Sequence, residues 1–194
     1  MPTPNTDTHS DLDRDALAKA IADASLLRGL FTLRSGRSSG YYLDKYRFST
    51  KPEILAQLGE LFTEQIGQIE QELSGIGPVN QLAGAELGGI PLVTVAGLTT
   101  GLTTIFVRNA KKDYGTAKQV EGIINQGDVV IFIEDVATTG GQALEAIEVL
   151  RSLGATVPAM ITVIDREEGA RENVEAAGVK FFALFTKGDL GVDE

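Results

Sequence analysis

Apolar residues fall into two kinds of pattern, short unbroken runs and longer stretches with helical spacing. The clearest run, residues 129–133, has five β-branched or aromatic side chains in succession, which is typical of a strand buried on both faces of a parallel sheet. Helical spacing covers residues 11–28, with Gly29 as the stop, and a stretch from Pro52 to about residue 73. Strands alternating with helices predict an α/β fold, a mostly parallel twisted sheet flanked by helices.

The same alternation continues through the second half of the chain. The predicted elements are, in order, strand 79–83, a helix to about 97, strand 104–107, helix 141–153, strand 159–164, a helix to 177 and strand 179–185. Two short extended pieces around a Ser/Gly turn within residues 30–44 predict a small hairpin. No repeat or linker divides the chain, so we expect one domain over residues 11–194 after a disordered tail at residues 1–10.

Composition and charge narrow the possible partners. The chain has 194 residues, of which 43% are hydrophobic, and carries a net charge of −10, so nucleic acid and anionic membranes are poor partners. No apolar run approaches the roughly 18 residues of a membrane span. The absence of cysteine excludes thiolate chemistry and, with a polar N-terminus, predicts a cytoplasmic protein. The single histidine, His9, lies in the tail, so we expect no histidine-based catalysis.

The central strand is followed by an ordered string of polar residues and glycines. Glu134 and Asp135 come first, then two threonines and two glycines at residues 138–141, and then a predicted helix. Backbone N–H groups at a helix N-terminus favour a phosphate, and glycine lets the anion approach closely. The acids could reach sugar hydroxyls or a divalent cation. Single acids or glycines could merely cap a helix or turn the chain, but the complete string favours an anion site.

Two further loops could contribute to this site. Residues 84–91, with the sequence GAELGGIP, offer a second glycine-rich cradle at the carboxyl end of a predicted strand, although ordinary turn chemistry would explain some of its glycines. Residues 108–122 join two core strands and carry Gly115 and Gly122 as hinges, which suits a lid; a solvated charged loop is the alternative. This loop concentrates four cations: Arg108, Lys111, Lys112 and Lys118.

Taken together, these motifs resemble those of the type I phosphoribosyltransferases. The residues around the motifs are similar to those of the orotate phosphoribosyltransferase family. The resemblance covers nearly the whole chain after the first ten residues. It implies an N-terminal hood of about residues 11–50 and a homodimer in which the loop near residues 108–116 reaches the other chain's site. It also implies transfer of 5-phosphoribosyl from phosphoribosyl pyrophosphate (PRPP) to orotate in de novo pyrimidine (UMP) biosynthesis, with Mg²⁺ held mainly by PRPP.

The resemblance assigns roles to individual residues. Its PRPP-binding candidates are Arg34, Leu87, Gly88, Arg108, Asn109, Lys111, Lys112, Tyr114, Glu134, Asp135, Val136, Ala137, Thr138, Thr139, Gly140, Gly141 and Gln142. Its catalytic candidates are Lys112, Glu134 and Asp135. Its orotate-binding candidates are Thr138, Arg166, Tyr42 and Leu43. A guanidinium fork such as that of Arg166 suits the orotate carboxylate, whereas pairing of Arg166 with Glu167 or Glu168 is the alternative.

Two positions depart from the family pattern. Arg34 and Asn109 both stand where lysine is usual, and an arginine keeps the charge but not the geometry. Lys111 is the candidate to supply the cation that Asn109 lacks. Two other functions therefore stay open: a PRPP-binding paralogue that acts on another base, and a non-catalytic regulator that binds PRPP.

Overall fold

The computed structural model describes residues 13–32, 38–109 and 119–192. Its strands are β1 Leu26–Thr32, β2 Ser38–Leu43, β3 Gln81–Ala85, β4 Thr103–Val107, β5 Val120–Glu121, β6 Val129–Ala137, β7 Thr156–Asp165 and β8 Lys180–Thr186. Its α-helices are α1 Arg14–Ser25, α2 Lys45–Ser49, α3 Pro52–Glu72, α4 Gly89–Thr100, α5 Gly141–Ser152 and α6 Ala170–Ala176. A short 3-10 helix, Gly188–Leu190, follows β8.

Six strands form one sheet in the order β5-β4-β3-β6-β7-β8. All neighbours are parallel except β4 and β5, so the predicted α/β fold is confirmed. The hydrophobic run of β6 is buried on both faces: Ile131 and Ile133 pack with α1, α3 and α4, while Val130 and Phe132 pack with α5 and α6. This double burial explains why the run has no polar alternation.

The predicted hairpin is present, but it begins earlier than the sequence pattern indicates. Strands β1 and β2 form a separate antiparallel pair in which Leu26 lies opposite Leu43. Helix α1 therefore ends at Ser25 instead of residue 28, and Gly29 lies inside β1 with φ 150° instead of ending the helix. Pairing with β2 satisfies the backbone hydrogen bonds that a longer helix would otherwise make.

Strand β6 extends further than its apolar run. It ends at Ala137, and residues 134–137 pair with the last residues of β7, where Ala137 lies opposite Asp165. Glu134 and Asp135 are therefore strand residues whose side chains point to opposite faces of the sheet. The position of these acids inside the strand, with Asp135 buried and Glu134 partly buried, was not predicted, because acidic residues usually mark the end of a buried strand.

The other predicted elements agree with the structure to within a few residues, and α2 and β5 are additions. Helix α4 continues to Thr100 and is stopped by Gly101 in the left-handed conformation at φ 76°. The predicted disordered tail at residues 1–10 lies outside the described residues. Within the described ranges, no helix is both long enough and apolar enough to cross a membrane.

A buried polar network joins the strands at the amino edge of the sheet, and Asp128 is its centre. The Asp128 carboxylate accepts hydrogen bonds from Asn80 Nδ2 at 2.9 Å, Gln81 Nε2 at 2.6 Å and the Asn125 backbone N–H at 2.6 Å. Asp128 and Gln81 are both buried. The network therefore anchors the start of β6 far from the carboxyl edge.

We expect Asp128→Ala to lower the free energy of unfolding by about 3 kcal/mol, because it leaves buried donors without an acceptor. Urea unfolding followed by circular dichroism would measure the loss. As a control, Asp23→Ala breaks the exposed pair between Asp23 and Lys19 and should cost about 1 kcal/mol or less. Equal stability of the two variants would contradict this role for Asp128.

Candidate active site

The carboxyl ends of β3, β6 and β7 lie side by side at one edge of the sheet. The loops that follow these strands contain residues 86–88, residues 138–140 and residues 166–169. Open parallel sheets bind their ligands at such an edge. The fold therefore brings three of the predicted motifs to one place.

The loop after β6 forms a cradle at the N-terminus of α5. Gly140 has φ 76°, and a Cβ there would lie 3.0 Å from Val174 Cγ2, so glycine is required by both conformation and space. Asn173 Nδ2 donates a hydrogen bond to the Thr139 carbonyl at 2.9 Å and ties the loop to α6. The first N–H groups of a helix have no intrahelical acceptor and favour an anion.

A small cavity lies against this cradle. It is lined by Lys45, Glu134, Val136, Ala137, Thr138, Thr139, Gly140, Gly141, Gln142, Ala143 and Met160. The predicted phosphate-binding residues 136–142 therefore share one cavity with the acid Glu134 and with a lysine from the hood side of the molecule. Such a mixture of backbone donors, a carboxylate and an ammonium group suits a phosphorylated sugar.

Asp135 points away from that cavity towards α4. Its side chain is 1% exposed, and Lys45 Nζ lies 3.1 Å from Oδ1 and 3.0 Å from Oδ2. The Val136 N–H donates to Oδ1 at 2.6 Å. Oδ2 is buried and has the ammonium group beside it but no well-directed hydrogen bond. The Asp135 carboxylate is therefore enclosed, with Lys45 as its counter-charge.

The loop after β3 packs directly on Asp135. A Cβ built on Gly88 would lie 1.5 Å from Asp135 Oδ2, and a Cβ on Gly84 would lie 2.7 Å from the Gly89 carbonyl oxygen. The peptide bond between Glu86 and Leu87 is cis, and the side chain of Leu87 is exposed. Glycine at residues 84 and 88 therefore sets the distance between the two loops.

Both ends of the charged loop are held to the sheet. The Asn109 N–H donates to Glu86 Oε1 at 2.9 Å, and Asn109 Nδ2 donates to the Glu86 carbonyl at 3.3 Å. At the other end of the loop, the Arg108 backbone N–H donates to the Gln119 carbonyl, and Gln119 Nε2 donates to the Arg108 carbonyl. The Arg108 guanidinium lies 3.6 Å from the Glu121 carboxylate. Asn109 thus links the loop to the turn after β3. The predicted site residues Arg34, Lys111, Lys112 and Tyr114 lie outside the described residues.

Arg166 reaches the same edge from the end of β7. The backbone N–H of Arg166 donates a hydrogen bond to the Ala137 carbonyl at 2.9 Å, and this bond holds Arg166 beside the cradle. One guanidinium nitrogen donates to the Tyr41 hydroxyl at 3.1 Å and lies 2.8 Å from Glu168 Oε1. The guanidinium carbon is 5.3 Å from the centre of the Tyr41 ring, and its buried Nε has no hydrogen-bond partner. The pairing with Glu168 considered above is therefore present.

Tyr41, not Tyr42, contacts Arg166. Successive strand residues point to opposite faces, and the Tyr42 ring packs against Phe31 with centroids 5.7 Å apart. Leu43 packs against the hydrophobic core. The predicted orotate contacts of Tyr42 and Leu43 stay predictions.

Comparisons with known proteins place the chain in a family. The chain is 41% identical to an orotate phosphoribosyltransferase of Natronomonas pharaonis over 178 residues, which cover 91% of this chain and 96% of the relative. The chain belongs to the orotate phosphoribosyltransferase family. No protein-family model matches it.

Solved structures of the family have the same fold. The orotate phosphoribosyltransferase of Aeropyrum pernix has a TM-score of 0.77 at 32% identity, with 90% of this chain and 96% of that chain covered. The Mycobacterium tuberculosis enzyme in complex with PRPP has a TM-score of 0.72 at 30% identity, with coverages of 93% and 99%. These matches confirm the fold predicted from the family resemblance.

Lys45 and Tyr41 were both missed as site residues in this member of the family. A lone lysine after a hairpin carries no local signal, and the pair Tyr41-Tyr42 does not reveal which ring faces the site. Because side chains alternate along a strand, only one of the two tyrosines can face the site. The register of β2 decides which one it is.

The two acids of β6 and Lys45 form a coupled group of charges. Burial raises the pKa of Glu134 well above its ordinary value, and the negative charge of Asp135 raises it further. Burial by itself would lower the pKa of Lys45, but the nearby carboxylates of Asp135 and Glu134 outweigh this effect, so the pKa of Lys45 is raised. Lys45 is therefore charged at neutral pH and balances Asp135.

We expect Glu134→Gln to stabilise the protein at pH 8 but not at pH 4. The unfolded chain ionises Glu134 at its ordinary pKa, whereas the folded protein holds the proton to higher pH. Wild-type stability therefore falls as pH rises above the ordinary pKa, until the folded group also ionises. The melting temperature of Glu134→Gln should exceed that of wild type by a few degrees at pH 8. A constant difference at all pH values would argue against this cause.

Proposed function

We propose that the chain transfers the 5-phosphoribosyl group of PRPP to N1 of orotate and releases orotidine 5′-monophosphate and pyrophosphate. The reaction would serve de novo pyrimidine (UMP) biosynthesis. One observation carries the proposal: the cradle of residues 138–142 and the guanidinium of Arg166 lie at neighbouring strand ends, linked by the bond between Arg166 and Ala137. An anionic sugar phosphate and an anionic base could therefore be held next to each other.

The reaction breaks the bond between the anomeric carbon and pyrophosphate and forms a bond to the base nitrogen. Positive charge builds on the ribose and negative charge on the leaving group, so electrostatic stabilisation and orientation should dominate catalysis. In this proposal residues 138–142 hold the 5′-phosphate, and Glu134 and Asp135 hold the ribose hydroxyls. Thr138 and Arg166 orient orotate.

The pyrophosphate end of PRPP would be held by the turn after β3 and by the charged loop. The turn containing Leu87 and Gly88 faces Asp135 and offers backbone donors. Arg108, Lys111 and Lys112 would supply positive charge for the leaving group, because charge-assisted hydrogen bonds to phosphate are the strong ones. Asn109 would keep its link to Glu86 and hold the base of this loop in place.

Mg²⁺ fits the residues at this edge. Mg²⁺ is often bound by one or two carboxylates together with substrate phosphates, and Glu134 is the carboxylate that lines the cavity. In the described parts of the chain, no group of three or more metal-binding side chains is present. We therefore propose that Mg²⁺ arrives with PRPP, where it would neutralise the pyrophosphate charge.

We also propose a homodimer in which the loop near residues 108–116 reaches the other chain's site. Helix α4 carries no charged side chain, which is unusual for a surface helix. Large apolar side chains are exposed on the turn after β3, on α4 and just after the charged loop, namely Leu87 at 64%, Leu98 at 80% and Ile123 at 73%. Exposed apolar residues of this kind suit a subunit interface. A cytoplasmic location stays a prediction from composition alone.

Loss of orotate absorbance in the presence of PRPP and Mg²⁺ tests the activity. We expect turnover with orotate and none with uracil or adenine, since neither of these bases carries a carboxylate for Arg166. Lys112→Ala should reduce turnover by roughly 10- to 100-fold, the effect of losing one charge-assisted contact. Absence of turnover with orotate would reject the proposal. Activity that appears only in Asn109→Lys would indicate a protein that binds PRPP without converting it.

A further inference from the structure

Lys45 is the cation nearest to the two acids among the described residues of the site. It begins α2, directly after the hood hairpin, and its ammonium group lies 3.0–3.1 Å from the Asp135 carboxylate 90 residues further along the chain. The Asp135 side chain is 1% exposed, whereas that of Lys45 is 34% exposed. Lys45 is therefore accessible to a ligand, while its carboxylate partner is not.

The side chain of Lys45 also lines the cavity formed by Glu134 and residues 136–143. A phosphate in this cradle would therefore share a cavity with the ammonium group. The side chain of Asn109, which stands at a usual lysine position, is bonded to Glu86 and carries no charge. Lys45 thus provides a positive charge at the site from a different part of the chain.

We propose that Lys45 is a substrate-binding residue: its ammonium group neutralises Asp135 in the free protein and contacts the 5′-phosphate once the ribose hydroxyls engage Asp135. This inference rests on the proposed function. Asp135 Oδ2 is buried beside the Lys45 ammonium group and lacks a well-directed hydrogen bond, so a ribose hydroxyl would reach it as Lys45 moves aside. A hydroxyl bound to Oδ2 would weaken the ion pair between Asp135 and Lys45. The flexible lysine side chain could then turn to the phosphate oxygens.

Binding of inorganic phosphate and ribose 5-phosphate, measured by calorimetry on the full chain without orotate or metal, tests this role. We expect Lys45→Met to weaken binding of ribose 5-phosphate about tenfold, and Lys45→Arg to weaken it less than about threefold. Lys51→Met is the matched control, because it removes the same charge from an exposed position at the start of α3. It should change binding less than twofold, within the range of weak surface electrostatics.

A second pair of variants separates ligand binding from mere neutralisation of Asp135. Asp135→Asn releases Lys45 and should tighten binding of inorganic phosphate several-fold, and adding Lys45→Met should reverse this gain. If Lys45 only neutralises Asp135, Lys45→Met will have no effect in the Asp135→Asn background, and the inference is wrong. The double variant removes both charges, so no unpaired buried carboxylate remains to unfold the protein.

These outcomes are distinct from failure of the proposed function. Orotate consumption by the wild-type protein tests the reaction, whereas phosphate binding needs neither orotate nor turnover. An active wild type whose affinity for ribose 5-phosphate is the same in all Lys45 variants would overturn the inference and leave the reaction intact. Binding of ribose 5-phosphate that depends on Lys45 in a protein without turnover would support the contact and reject the reaction.

Discussion

Gly88→Ala is expected to lower kcat/KM for PRPP by about 1000-fold or more while the protein stays folded. A Cβ at Gly88 would lie 1.5 Å from Asp135 Oδ2 and 2.6 Å from Asp135 Cγ. Such an overlap cannot be accommodated in place, so either the Asp135 carboxylate or the loop after β3 must shift. A displacement of about 1 Å at a catalytic group can by itself cost roughly 100-fold in rate. This shift would disturb the ribose-binding acid and the pyrophosphate-binding turn together.

Steady-state kinetics and thermal melting would measure this effect. Gly67→Ala is the matched control, since a Cβ there meets no atom within 4 Å and Gly67 lies within α3. The control should keep wild-type activity and gain up to about 1 kcal/mol of stability, because alanine is the better helix former. If Gly88→Ala retained activity within tenfold of wild type, the contact with Asp135 would not be essential to the site.

Arg166→Leu should lower kcat/KM for orotate by about 100- to 1000-fold and leave the KM for PRPP within about threefold. The orotate carboxylate would lose its guanidinium partner in a largely buried place, and an unpaired charge there is costly. The Arg166 side chain is 16% exposed, and both Tyr41 and Glu168 orient it. Arg166→Lys should retain part of the activity, because lysine keeps the charge but cannot form the bidentate fork.

Base specificity provides a second measurement for Arg166. Uracil carries no carboxylate, so Arg166→Leu should reduce the preference for orotate over uracil. Arg151→Leu is the control, since Arg151 lies at the end of α5 and bonds to Glu148 and Ala177. It should leave the kinetics unchanged. An equal loss for PRPP and orotate in Arg166→Leu would mean that Arg166 supports the cradle through Ala137 instead of binding the base.

The sequence is most informative where function depends on local backbone geometry. The cradle at residues 138–141 could be recognised because a helix N-terminus, a left-handed glycine and flanking acids lie next to one another in the chain. The glycine-rich loop at residues 84–91 was likewise recognised from its composition, but only the structure shows the close approaches that exclude a side chain at Gly84 and Gly88. Repeated strand and helix patterns likewise predicted the sheet, since burial on both faces requires continuous apolar runs.

Contacts between segments that are distant in the chain could not be predicted from the sequence. The choice between Tyr41 and Tyr42 depends on the register of β1 with β2, and the end of α1 depends on the pairing of Leu26 with Leu43. The bond between Asn109 and Glu86 links positions 23 residues apart. None of these features has a signature within a few residues of sequence.

By itself, the sequence therefore determined the α/β fold, the glycine-rich loop at the N-terminus of α5 and the arginine at the end of β7, because each depends on residues that are neighbours in the chain. Only the tertiary structure decided that Lys45 neutralises Asp135, that Tyr41 contacts Arg166, and that Gly88 packs on the Asp135 carboxylate. These pairings join segments far apart in sequence. They form because the sheet brings its strand ends to one edge and the hood segment lies beside them, where burial makes each unpaired charge costly.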